Sequence, residues 1–198
     1  MRRVVLAIVL VLCGTQVFGD VGRYQARGYD GEPIIDYSRR HYRVMDSDQF
    51  LALKIYADGR VRLSTPSYMH NPGEFEFRLN AKRMQALLSS IDTMEILSFD
   101  ADAAHRAKAE SEARRADGER FHVSDLTETR IAIRFAHFAA PGKEGKPVNR
   151  QILWNDVAVE AERFSDVVML QGLNHFERQL LRLTDPTRRQ AVRVTGGQ

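Results

Sequence analysis

The sequence predicts an α+β fold: an antiparallel sheet of five to seven strands with two main helices packed on one face, plus a charged Ala-rich helical insertion. Three observations carry that expectation. Leu51, Leu53 and Ile55 alternate with Ala52, Lys54 and Tyr56, and Ile131, Ile133 and Phe135 alternate with Arg130, Ala132 and Arg134. That is the period of strands with one buried face. Met84, Leu87, Leu88 and Ile91 form one helical stripe, and Met169, Leu173, Phe176, Leu180 and Leu183 form a second, stronger one. The 198 residues, 43% hydrophobic and 28% charged, suffice for one domain with its own core and exclude wholesale disorder.

The first nineteen residues read as a signal peptide. Arg2 and Arg3 precede an unbroken apolar run from Val4 to Leu12, and Val17-Phe18-Gly19 supplies a small-residue cleavage site before Asp20. The run is too short to span a bilayer, which takes roughly 20 residues as a helix. A lipoprotein anchored through Cys13 is the minor alternative, disfavoured because Leu12 stands where a lipidation motif wants a small residue. Twin-arginine export is weaker still, since the apolar run follows the Arg pair without a polar lead-in. Cleavage removes the one Cys and lowers the net charge from +3 to +1. A thiol-free exported chain suits a secreted or periplasmic bacterial setting.

Residues 20–45 carry Tyr24, Tyr29, Tyr37 and Tyr42 among five arginines, interrupted by Gly22, Gly28, Gly31 and Pro33. They read as an extended Tyr/Arg-rich arm with a short strand near its end. Residues 46–185 form a single α+β domain. Within it Phe50–Tyr56 and Val61–Ser64 make a hairpin across Asp58-Gly59, where the chain takes the positive φ of a tight turn. After a loop, Glu74–Leu79 is a third strand, and Asn80 caps the helix behind it. Residues 100–120 include seven Ala and no large apolar side chain, so they are expected as a solvated, mobile or loosely docked helical insertion. Phe121–Val123, Glu128–Phe138 and Val148–Trp154 read as strands, and the final helix begins near Ser165. The outline thus repeats strands followed by a helix, without residue-level identity between the halves. Residues 186–198 read as a disordered basic tail with Arg188, Arg189 and Arg193.

Chemistry is sparse. The six His residues are at least fifteen apart, so no local His-x-His or His-Glu-x-x-His metal motif exists, and no Gly-rich phosphate loop, dinucleotide fingerprint or Gly-x-Ser-x-Gly elbow occurs. Asp46-Ser47-Asp48 resembles the opening of a calcium loop but lacks the later Gly and Glu, and reads as a solvated turn. Asp100 and Asp102 suit a helix start. Glu74 and Glu76 share a strand face, either as paired acids or as an ordinary polar sheet surface. His122, Ser124, Asp125 and His137 are the residues from which a dispersed hydrolase site could be assembled.

Six residues are the candidate binding set. Trp154 and Asn155 end a strand, against the alternative of a core Trp followed by a turn; Tyr24, Tyr29, Arg39 and Arg40 interleave rings and cations as ligand surfaces do. No catalytic residue, metal ligand or cofactor is assigned. The expected function is that of an exported, non-catalytic bacterial envelope protein binding a partner protein or envelope component. A small-ligand or polymer-binding module using the sheet face or the arm is the second reading, and a hydrolase the third. No nucleic-acid partner is expected at so small a net charge, and no membrane span. The layout resembles that of small exported bacterial proteins in pattern alone.

Overall fold

The computed structural model describes residues 22–42, 50–114, 127–186 and 192–193. The signal-peptide reading of 1–19, the Asp46-Ser47-Asp48 turn, the Phe121–Val123 strand and His122, Ser124 and Asp125 lie outside the described residues.

In chain order the elements are β1 (Gln25–Arg27), β2 (Ile35–His41), β3 (Leu51–Ile55), β4 (Arg60–Thr65), β5 (Gly73–Arg78), α1 (Ala81–Thr93), a single 3-10 turn (Ile96–Ser98), α2 (Ala101–Arg114), β6 (Thr127–Ala139), β7 (Lys146–Asn155), α3 (Val157–Arg163), α4 (Val168–Thr184) and β8 (Val192–Arg193). The fold is α+β with a curled antiparallel sheet, as the alternating patterns predict. Its lateral order is β7, β6, β2, β3, β4, β5, β8. The short β1 runs beside the far end of β6, beyond the stretch that pairs with β2.

The hairpin between β3 and β4 turns through three residues rather than the two that Asp58-Gly59 suggests. Gly59 N–H donates to the Tyr56 carbonyl and Tyr56 N–H to the Arg60 carbonyl, with Gly59 at φ +86°. A type I turn closed by one left-handed residue preserves strand twist with an odd loop. A side chain at Gly59 would also strike the Leu79 carbonyl oxygen at 2.8 Å. Asn80 does cap α1, its side chain accepting from Arg83 N–H at 2.9 Å.

One face of the sheet carries the core. Ile35, Tyr37, Leu53, Ile55, Val61, Leu63, Ile131, Ile133 and Phe135 are fully or almost fully buried there. Leu87, Leu88 and Ile91 of α1 join the same cluster, as do Leu170, Leu173, Phe176 and Leu180 of α4. Gly172 lets α4 pass close to the end of α1, since a Cβ there would meet the Met94 carbonyl oxygen at 2.7 Å. No helix among the described residues is long and apolar enough to cross a membrane.

Three segments differ from the sequence expectations. The 20–45 arm carries the expected strand near its end, but that strand, β2, is central rather than peripheral: it lies between β3 and β6, with Ile34, Ile35 and Tyr37 fully buried. Its apolar content is too low for a periodic signal, because Asp36, Ser38 and Arg40 share it with Tyr37 and Arg39. The charged Ala-rich stretch holds α2, which is docked: Ala104 and Ser111 are buried on a face shared with the half-buried Ala107 and Lys108. In the expected basic tail, Val192 and Arg193 pair with Glu76 and Phe75 at the edge of β5. A short helix, α3, also precedes α4, entered through Asp156 at φ +49°.

Candidate functional site

The strand period places Ala52, Lys54, Arg62, Ser64, Glu74 and Glu76 on the sheet face opposite the core. In register, Lys54 lies opposite Arg62, Arg62 opposite Glu76, Ala52 opposite Ser64, and Ser64 opposite Glu74. The loop after β4, containing Pro66, Ser67 and Pro72, rises beside this face and turns it into a cleft of about 740 Å³. Phe50, Ala52, Lys54, Tyr56, Arg62, Ser64, Thr65 and Glu74 line it together with that loop.

The lining combines apolar surface with polar groups. Arg62 is held by Glu76, Nε to carboxylate oxygen 3.1 Å. Lys54 and Glu74 are exposed and form no ion pair among the described residues. Asp36 lies opposite Lys54 on β2 without closing such a pair. Thr65, which follows Ser64 and so stands on the core side of β4 with Leu63, is 8% exposed, and its hydroxyl has no hydrogen-bond partner among the described residues. The Tyr56 ring carries the Arg60 guanidinium over it at 4.2 Å, and the Phe50 ring carries that of Arg40 at 5.5 Å.

A second polar cluster lies within the core layer. Tyr37 and Thr129 both donate to Oε1 of Glu177, at 3.1 and 2.7 Å. Burial, and then the neighbouring Glu177, push the Tyr37 phenol far above its ordinary pKa. Here the chemistry is already engaged inside the fold, so the cluster is a packing device rather than an open site.

The six candidate residues do not converge. Tyr24 fastens β1 to α1: its N–H and carbonyl bond the Gln85 amide at 2.9 and 2.8 Å, and its hydroxyl reaches Asp92 at 3.2 Å. Tyr29 is half-exposed in the loop before β2. Arg39, Thr129 and Trp154 share one row across β2, β6 and β7, while Arg40, Glu128 and Asn155 share the next row. Successive strand residues point to opposite faces, so the two rows are on opposite sides of the sheet.

Trp154 is a core side chain, 4% exposed, with the His105 ring stacked on it at 4.4 Å and Phe99 edge-on at 5.7 Å. None of the six lines the cleft; Arg40 touches its edge, with its guanidinium over the ring of Phe50. Glu74 and Glu76 part company, one standing unpaired in the cleft and the other binding Arg62. His137 packs against Gly145, where any Cβ would overlap its ring.

The cleft residues Lys54 and Ser64 were not singled out by sequence reasoning. Their signal is the polar half of a strand alternation, identical to that of any solvated sheet face. Among the described residues no three His, Cys, Asp or Glu side chains gather as a metal site would require. Comparison with protein-family models, with curated proteins and with solved structures finds no match to this chain.

Proposed function

We propose that this protein is a non-catalytic binding protein of the bacterial envelope, exported by removal of residues 1–19, and that it holds an envelope component in the cleft over β3, β4 and β5. The observation that carries the reading is the cleft itself: about 740 Å³, lined by aromatic, hydroxyl and charged side chains, of which Lys54 and Glu74 have no ion-pair partner among the described residues. Concave, mixed surfaces of this size are where small ligands and chain segments bind. The buried Trp154 and the stapled Tyr24 speak against a contact surface built on the arm or the end of β7.

Soluble fragments released by digestion of purified host envelope provide the test. Added to isotopically labelled protein, they are expected to shift the amide resonances of Ala52, Ser64 and Thr65, and Ala52→Trp, which fills the cleft floor, is expected to abolish the shifts while thermal stability stays unchanged. Fragments that bind Ala52→Trp as well as the parent protein would overturn the assignment. Export is tested separately, by N-terminal sequencing of protein recovered from the periplasm. Asp20 is the expected first residue; an uncleaved chain retained in the cytoplasm rejects export, and a lipid-blocked Cys13 reports the lipoprotein route.

A further inference from the structure

We infer that the cleft ligand is a short peptide with both termini free, its carboxylate held by Lys54 and its α-ammonium by Glu74. This rests on the cleft being the contact site. Lys54 and Glu74 are the two lining residues that carry charge without an ion-pair partner among the described residues, and they are of opposite sign. Arg62, between them, is already neutralised by Glu76.

Register fixes their separation. Lys54 is opposite Arg62 on β4, and Glu74 is opposite Ser64, on the next strand and two residues further along. Two strand spacings of about 4.8 Å and two residues of about 3.4 Å give roughly 12 Å on the diagonal. An extended chain spans about 3.3–3.6 Å per residue, so the ends of a peptide of about three or four residues match that distance. A neutral sugar would leave both charges unanswered. Ser64 supplies a hydroxyl for the peptide backbone, and Phe50, Ala52 and Pro66 supply apolar surface for small side chains. Asp36, opposite Lys54 on β2, weakens the carboxylate site without closing it.

Tetraalanine is the probe, with its N-acetyl derivative and its C-terminal amide as controls, followed by calorimetry and by the amide shifts of Ala52, Ser64 and Thr65. Tetraalanine is expected to bind, and each blocked derivative to bind about tenfold more weakly, because each loses one charge-assisted contact. Lys54→Gln is expected to weaken tetraalanine about tenfold but leave the amide unaffected, and Glu74→Gln to do the same for the N-acetyl derivative. Both positions are exposed, so neither variant is expected to alter folding. Blocked and free peptides binding equally, or chitotetraose shifting the same amides with no effect of Lys54→Gln, would overturn the inference and leave the cleft assignment intact. If tetraalanine produces no shift where envelope fragments do, the peptide inference alone is lost; if neither produces a shift, both are.

Discussion

Glu177 is 3% exposed on the core side of the sheet, and two hydroxyl donors on one oxygen, from Tyr37 and Thr129, make its burial tolerable. Removing one donor leaves part of a buried acceptor unmet, at about 1–3 kcal/mol. Tyr37→Phe is therefore expected to lower unfolding free energy by about 1–2 kcal/mol at neutral pH. The sign of the pH effect follows from the raised Tyr37 pKa. A phenol harder to ionise when folded than when unfolded stabilises the protein in its neutral form. That contribution is complete below the ordinary phenol value of about 10 and is lost as pH rises beyond it. Urea unfolding of the parent between pH 8 and 11 is expected to fall more steeply than that of Tyr37→Phe; parallel profiles would exclude the effect. Nothing in the sequence near Tyr37 announces this cluster, since Glu177 is 140 residues away.

α2 shows how an element without large apolar residues can dock. Ala104, Ala107, Lys108 and Ser111 recur at helical spacing and make a shallow face, and His105 lies flat on Trp154. Charged and polar groups fasten the rim: Ser111 and Arg114 bond Asp166 at 2.8 and 2.7 Å, Glu112 meets Arg163 at 3.0 Å, and Lys108 pairs with Glu160. Surface ion pairs at the rim add little and α2 buries little apolar area, so α2 is expected to open before the sheet does. The Ser111 hydroxyl, followed by Arg114, holds the Asp166 carboxyl below its usual range. A lowered folded pKa stabilises docking above the ordinary carboxylate value, and the contribution disappears as pH falls through the lowered one. Hydrogen exchange of amides 101–114 is accordingly expected to accelerate in acid relative to the sheet amides, and Asp166→Asn to show the faster exchange already at neutral pH. Unchanged protection in that variant would show that the Asp166 contacts do not hold the helix. Alternating Ala and charge made the helix legible; the depth of its docking was not, because alanine carries little apolar area to mark a face.

At the scale of the whole molecule, β2 is the strand on which the sheet depends. It pairs with β3 on one side and β6 on the other, although about ninety residues separate it from β6 in sequence. Deleting residues 22–42 is expected to abolish cooperative unfolding, because it empties Ile34, Ile35 and Tyr37 from the core and exposes the backbone of two strands at once. A soluble deletion variant with a sharp thermal transition would show that the segment is dispensable after all. Trp154→Ala is expected to cost about 3–5 kcal/mol, as a large core side chain does, and circular dichroism melts measure it.

Alternation and helical spacing, being local, determined the central strands, the hairpin position, the Asn80 cap and the α+β class from the sequence alone. A strand needs only its own period to declare a buried face, and a cap only its own side chain. What the tertiary structure decided is everything that depends on which strand lies beside which: β2 becoming central, Trp154 turning into core, and Lys54 and Glu74 coming to share a cleft across β4. Those relations depend on register between distant segments. A polar residue on the solvent face of a strand reads the same in sequence whether it borders open water or a binding site.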